Sequence, residues 1–113
     1  MAIAHVGAGT VLHATSMVTG ETDSTEFADS RPATGTVITC LVVGSGGTLR
    51  VYKKMRASGE FVEISSEAVT AGTGNPTVVS LDFPLGHGKA SFDPGLTYGD
   101  VTLIEIEMRS RGR

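Results

Sequence analysis

A strict two-residue alternation of side chains is the feature of this sequence that most limits its fold. The clearest example is the segment 100–109. Its two faces carry Thr102, Ile104, Ile106 and Met108 on one side and Val101, Leu103, Glu105 and Glu107 on the other. Successive side chains of a β-strand point to opposite faces, so this period predicts a strand with one buried face. Helical periodicity is hard to find elsewhere, and the sequence therefore predicts an all-β protein.

Other segments with strand character are separated by turns rich in Gly, Pro and Asp. Segment 36–43 is apolar on both faces, which is typical of a central strand covered on both sides. Segments 48–56 and 61–66 follow it after the short turns 44–47 and 57–60, and the three segments predict an antiparallel meander. The remaining candidate strands are 10–19, 77–83, 89–92 and 100–109.

About seven strands at this spacing predict one antiparallel β-sandwich of the jelly-roll type, with a small β-barrel as the alternative. A chain of 113 residues fits a single domain. Three parts of that domain are expected to lie outside its core: an N-terminal arm 1–9, an acidic loop 20–35 and a flexible C-terminal tail 110–113.

The charge balance and the cysteine count exclude several classes of protein. The net charge of −3 argues against a dedicated nucleic-acid-binding protein, which usually carries a basic excess. Cys40 is the one cysteine, so an intrachain disulfide is impossible, and its apolar neighbours predict that it is buried. Neither a signal peptide nor an apolar run of membrane-spanning length is evident, and the expected location outside a larger assembly is the cytoplasm.

The basic segment 50–56 is the strongest candidate for a binding surface, because it holds four of the nine cationic residues. Arg50, Lys54 and Arg56 can project from one face of a strand with Tyr52 among them. Such a surface can engage an acidic protein, phosphates or a sheet partner. One alternative is a solvated strand whose lysines discourage aggregation. The other is pairing across strands with the acidic residues Glu60, Glu63, Glu105 or Glu107.

No catalytic, cofactor or metal site is predicted. The three histidines are scattered, and none has a partner at metal-ligand spacing. His87 lies between Asp82 and Asp93 in the sequence, so it is the candidate for acid–base chemistry, with an ordinary loop hydrogen bond as the alternative. The glycine run 44–47 lacks the lysine of a phosphate-binding loop. The sequence therefore predicts a protein that is not an enzyme.

The chain combines several further features: glycine- and threonine-rich turns at 44–48 and 72–77, the lone Cys40, and the acidic segment 20–35 between strands. In these features it resembles the small all-β accessory proteins of tailed-phage virions, such as capsid decoration, cement or fibre-associated proteins. The resemblance implies a homo-oligomer, with a trimer as the expected state, that binds a capsid lattice and is located in the virion. It also implies that the N-terminal arm is a docking segment, whereas the alternative is an edge strand or a frayed terminus.

Three functional hypotheses follow. The first is a non-enzymatic structural protein that binds other protein subunits, with partner-binding residues Ile3, Val6, Arg50, Tyr52, Lys54 and Arg56. The second is a small carbohydrate- or ligand-binding module, which would need Tyr52 or Tyr98 exposed in a concave site because the chain has no Trp. The third is an enzyme that uses His87 with Asp82 or Asp93.

Overall fold

The computed structural model describes residues 3–6, 8–17, 19–29 and 34–111, and for residues 3–6, 8 and 29 it describes the backbone alone. Ten strands and one 3₁₀ turn, Tyr98–Asp100, form within these ranges. The strands are β1 Ile3–Val6, β2 Ala8–Ala14, β3 Thr22–Asp23, β4 Glu26–Asp29, β5 Gly35–Val43, β6 Gly47–Lys54, β7 Phe61–Val69, β8 Thr77–Leu81, β9 His87–Asp93 and β10 Leu103–Arg111. None of the described residues belongs to a helix that is long and apolar enough to cross a membrane.

The strands form two packed sheets, which confirms the predicted all-β sandwich class. Sheet A has the order β1-β4-β9-β6-β7, and β3 also pairs with β9. Sheet B has the order β2-β10-β5-β8. Neighbouring strands are antiparallel except for β1 and β4, which are parallel. The segment 20–35, expected to be a loop, contributes β3 and β4 to sheet A, and the segment 1–9 contributes β1. The expected tail 110–113 is wrong for its first two residues, because β10 continues through Arg111; residues 112 and 113 lie outside the described ranges.

The core lies between the two sheets and is built from the alternation seen in the sequence. On β10 the inward side chains Ile104, Ile106 and Met108 are at most 1% exposed, while Glu107 and Arg109 point to solvent. Sheet A supplies the opposite wall with Leu49, Val51, Phe27, Ala90 and Phe92, all fully buried. Burying each large apolar side chain stabilises the fold by about 1.5–3 kcal/mol, so this interior holds the sheets together.

Cys40 lies in this core on the inward face of β5, as predicted from its apolar neighbours. Burial raises the pKa of its thiol to about 12, because a buried thiolate would lose its hydration. The side chain therefore stays a neutral thiol and packs as a small hydrophobic residue.

The glycine-rich turn after β5 crosses from one sheet to the other. β5 lies in sheet B and β6 in sheet A, so the predicted meander is wrong at its first connection and correct at the β6–β7 hairpin. Gly44 has a φ of +110°, and a Cβ there would overlap the carbonyl oxygen of Asp100. Glycine serves both a tight hairpin and this close backbone crossing, so the sequence pattern fits either connection.

Candidate functional site

Acidic and basic side chains from distant parts of the chain meet on the outer face of sheet A. Arg50, Tyr52 and Lys54 lie on this face of β6, while Leu49 and Val51 point to the other side and are buried in the core. Strand β9 separates β6 from β3 and β4, so the acidic side chains of the segment 21–26 lie within reach of the basic strand. The acidic segment and the basic strand therefore form one surface, which sequence reasoning treated as two.

Arg50 is the centre of the first charge cluster. Its Nη1 donates to Asp93 Oδ2 at 2.9 Å and to Glu21 Oε2 at 3.3 Å, and its Nε lies 3.5 Å from Glu63 Oε1. The hydrogen bond to Asp93 is the main cause that raises the pKa of Arg50. The backbone N–H of Gly95, followed by Arg50, lowers the pKa of Asp93. Three carboxylates thus surround this guanidinium, so it is poorly placed to recognise an anionic partner.

Glu26 is the centre of the second cluster, and its side chain is only 12% exposed. Its Oε1 accepts hydrogen bonds from Lys54 Nζ at 3.1 Å and from His87 Nε2 at 2.9 Å. The hydrogen bond from Lys54 lowers the pKa of Glu26 and is the largest effect on it. Desolvation raises the pKa, the hydrogen bond from His87 lowers it further, and the net pKa is lowered. Glu26 therefore stays ionised at neutral pH and holds Lys54 and His87 side by side.

His87 thus has a different carboxylate partner from the two expected from the sequence. Asp82 is 3.3 Å from Arg111, and Asp93 is bonded to Arg50. The proposed pairing of His87 with Asp82 or Asp93 is wrong, because Glu26 reaches it from β4, 61 positions away in the sequence. In the described part of the chain, no group of three or more His, Cys, Asp or Glu side chains is arranged to hold a metal ion.

Tyr52 is covered by a neighbouring cation. Lys89 Nζ lies 5.4 Å from the centre of the Tyr52 ring and 4.6 Å from that of Phe61, and it donates to Asp23 at 2.7 Å. Cations favour such positions over aromatic rings. Tyr98, the other tyrosine, is 37% exposed in the 3₁₀ turn. The Tyr52 ring is therefore not an open platform for stacking a sugar.

A cleft of about 620 Å³ opens at the end of β6, between the turn into β7 and the loop before β9. Its lining residues are Ala28, Lys53, Lys54, Met55, Arg56, Gly59, Gly86 and His87. This volume falls in the usual range of about 300–1,000 Å³ for small-molecule sites. Sequence reasoning found Lys54 and Arg56 but missed the cleft, because three segments far apart in the sequence form its walls.

The outer face of sheet B carries a second candidate surface, an apolar strip. Its residues are Leu41 and Val43 of β5, Val78 of β8 and Leu103 of β10, all at least partly exposed, whereas Val37 on the same face of β5 is buried at 9% exposed. Val78 is 57% exposed, and no other layer of the described chain packs on this face. The apolar pattern of β5 correctly indicated a central strand, but within the described ranges only its inner face is covered by another sheet.

Ile3 and Val6 were predicted to bind a partner through the N-terminal arm. Their backbone lies in β1, which pairs in parallel with β4 from Ile3 and Glu26 to Val6 and Asp29. Their side chains lie outside the described residues, so this role stays a prediction. Arg56 lies beyond the end of β6, in the turn 56–58, and not on the strand with Arg50.

No protein-family model, curated protein or solved structure matches this chain. Its class is defined by its own geometry: a two-sheet β-sandwich with a charge-paired outer face on sheet A and an apolar strip on the outer face of sheet B.

Proposed function

We propose that the chain is a non-enzymatic structural protein that self-associates and binds other protein subunits, and that the apolar strip is its self-association surface. The apolar strip carries the proposal. Antiparallel sheets that face water on one side normally alternate apolar and polar residues, whereas β5 is apolar on both sides. Apolar patches left open on a folded domain commonly mark interaction surfaces.

Charges beside the strip favour a second copy of the chain as the occupant. Glu107 and Arg109 are successive outward residues of β10, about 7 Å apart along the strand, and neither forms an ion pair with another described residue. Two copies can pack with the outer faces of their B sheets against each other. The two-fold axis that relates them lies in this interface and runs perpendicular to β10. Glu107 of each copy then lies over Arg109 of the other, so these two charges are complementary across the axis.

The size of the face also fits a modest homodimer. Four strands about 4.8 Å apart, the longest of nine residues, give a face on the order of 500 Å². Two such faces bury about 1,000 Å², which is the lower limit for a specific interface. The two-fold arrangement favours a dimer over the trimer that the phage resemblance implies.

The proposed location in a virion rests on the resemblance to capsid decoration, cement and fibre-associated proteins. In that location, the further partners are other virion subunits. A small interface is useful in that setting, because repeated copies on a lattice bind together and multiply a modest affinity. Charged side chains around the strip would then fix the orientation of each copy.

A second candidate function is a ligand-binding module, which is favoured by the cleft of about 620 Å³. No tyrosine is among its lining residues, and the Tyr52 ring is covered by Lys89. A sugar that stacks on an aromatic ring is therefore a poor fit for the cleft. The positively charged residues of the lining favour an anion as the ligand.

Replacing Leu41 with Arg is expected to convert a dimer into a monomer. Leu41 lies within the strip and pairs across strands with Glu105, so an arginine can be accommodated in the folded monomer but places a charge in the interface. Sedimentation equilibrium at about 100 µM, above the micromolar dissociation constants typical of weak interfaces, checks this result.

Val62→Arg is the matched control, since Val62 is an apolar residue of β7 in sheet A that is 46% exposed. This variant is expected to keep the mass of two chains. A monomeric unmodified protein, or equal masses for the two arginine variants, would contradict self-association through the strip.

A further inference from the structure

We infer that the cleft at the end of β6 binds a small organic anion, a carboxylate or phosphate carried on a compact apolar group. This inference names the ligand class of the second candidate function and is independent of self-association. It rests on three properties of the cleft: the positive charge of Lys53 and Arg56, which no described carboxylate pairs, two glycines in its lining, and apolar residues in the same lining.

The charge of the cleft is opposite to that of the whole chain. Among the residues that the structure describes, its lining includes Lys53, Lys54 and Arg56 but no carboxylate, although the chain has a net charge of −3. Glu26, which is bonded to Lys54 and His87, is the one carboxylate that the described structure ties to this lining by a hydrogen bond. An electropositive concave site concentrates anions near it.

The cations of the cleft keep donors free for a ligand. Lys53 Nζ donates to the carbonyl oxygen of Leu85 at 2.7 Å, which leaves the charge unneutralised and two of the three ammonium donors unused. Arg56 is exposed and forms no ion pair with any residue that the structure describes. Its planar guanidinium suits two-point binding of a carboxylate or a phosphate. Arg50, which is held by three acids, lacks this freedom.

Two glycines line the cleft. Gly59 has a φ of +74°, and a Cβ added there would meet no atom within 4 Å. Gly86 has a φ of +77°, and a Cβ there would lie 3.1 Å from Lys53 Nζ. Gly59 therefore borders open space, and a side chain at Gly86 would press against the ammonium group of Lys53.

The remaining wall is apolar and larger than a bare oxyanion requires. Met55, which is 43% exposed, and Ala28 both belong to the lining. A thioether side chain adapts its shape to apolar ligands. The cavity of about 620 Å³ exceeds the volume of inorganic phosphate or acetate, so the favoured ligand places its acid group at Lys53 and Arg56 and an apolar group against Met55.

Titration of ¹⁵N-labelled protein with phenyl phosphate and with benzoate tests this inference, with inorganic phosphate and acetate as ligands that lack the apolar group. We expect saturable shifts of the backbone amides of Gly59, Gly86 and His87. The aromatic anions should bind about tenfold more tightly than their inorganic or small counterparts, because a phenyl group buries further apolar surface. A preference for phenyl phosphate or for benzoate supports the inference and identifies the acid group.

Arg56→Gln is expected to weaken binding of the preferred aromatic anion about tenfold, since it removes a charged hydrogen-bond donor from the cleft. Arg111→Gln removes a cation at the end of β10 in sheet B, where it is paired with Asp82, and should leave the dissociation constant unchanged. The inference is overturned if the cleft amides do not shift saturably, if the apolar group brings no gain, or if both glutamine variants bind alike. Anion binding that fails while Leu41→Arg still dissociates the dimer removes this inference alone.

Discussion

Replacing Phe92 with Ala is expected to lower the free energy of unfolding by about 3–5 kcal/mol. Phe92 is fully buried on β9, the strand that pairs with β3 and β4 on one side and β6 on the other. Its backbone is opposite Thr22 and Leu49, so the strand cannot move inward to fill the space that the ring leaves. Urea denaturation followed by circular dichroism measures the change.

Val62→Ala is the control for this truncation, because Val62 is 46% exposed on an edge strand of the same sheet. Its free energy of unfolding should change by less than about 1 kcal/mol. Equal losses in the two variants would show that Phe92 does not fill the space between the sheets.

Replacing Gly44 with Ala is expected to lower the free energy of unfolding by about 3 kcal/mol, from steric overlap together with a positive φ. The added Cβ would overlap the carbonyl oxygen of Asp100, a backbone atom that cannot rotate away. Gly44 lies where the chain crosses from sheet B to sheet A, so relief of the clash would move the two sheets apart. Thermal and urea unfolding both report the loss.

Gly74→Ala provides the comparison, since a Cβ at Gly74 would meet nothing within 4 Å and its φ is not positive. It should change the free energy of unfolding by less than about 1 kcal/mol. A tolerated Gly44→Ala variant would mean that 44–46 does not make the close crossing and would reopen the hairpin interpretation.

The parts of the fold that could be predicted are those where the residue pattern of a single strand reflects which of its faces are buried. The alternation in β10 reports one buried face directly, and the apolar β5 reports a central position. Neither pattern indicates which sheet the next strand joins, because apolar and polar residues alternate with the same two-residue period in strands of either sheet. The crossing at Gly44 was therefore read as a hairpin, whereas the β6–β7 hairpin was read correctly.

The acidic segment shows why short strands escape sequence reasoning. β3 has two residues and β4 has four, too few to display alternation. Their acidic side chains were expected to be solvated, yet Asp23 pairs with Lys89 and Glu26 with Lys54. These partners are brought together by sheet pairing over long sequence distances, so local composition does not reveal them.

The candidate binding residues are divided between two environments that the sequence presents as one stripe. Arg50 is neutralised by carboxylates and Tyr52 is covered by Lys89, whereas Lys54 and Arg56 line the cleft. Arg50, Tyr52 and Lys54 lie on β6, whereas Arg56 lies in the turn that follows it. A stripe inferred from alternation assumes that the strand continues straight, and β6 ends at Lys54.

Charge reversal on β10 tests the proposed self-association most directly, because its outcome depends on the two-fold arrangement. The native mass is compared for the unmodified chain, Glu107→Arg, Arg109→Glu and the double variant. Each single reversal places like charges opposite each other and should weaken the dimer at least about tenfold, while the double variant restores opposite charges and should recover it. A double variant no more dimeric than the single ones, or four identical masses, would contradict association through the apolar strip.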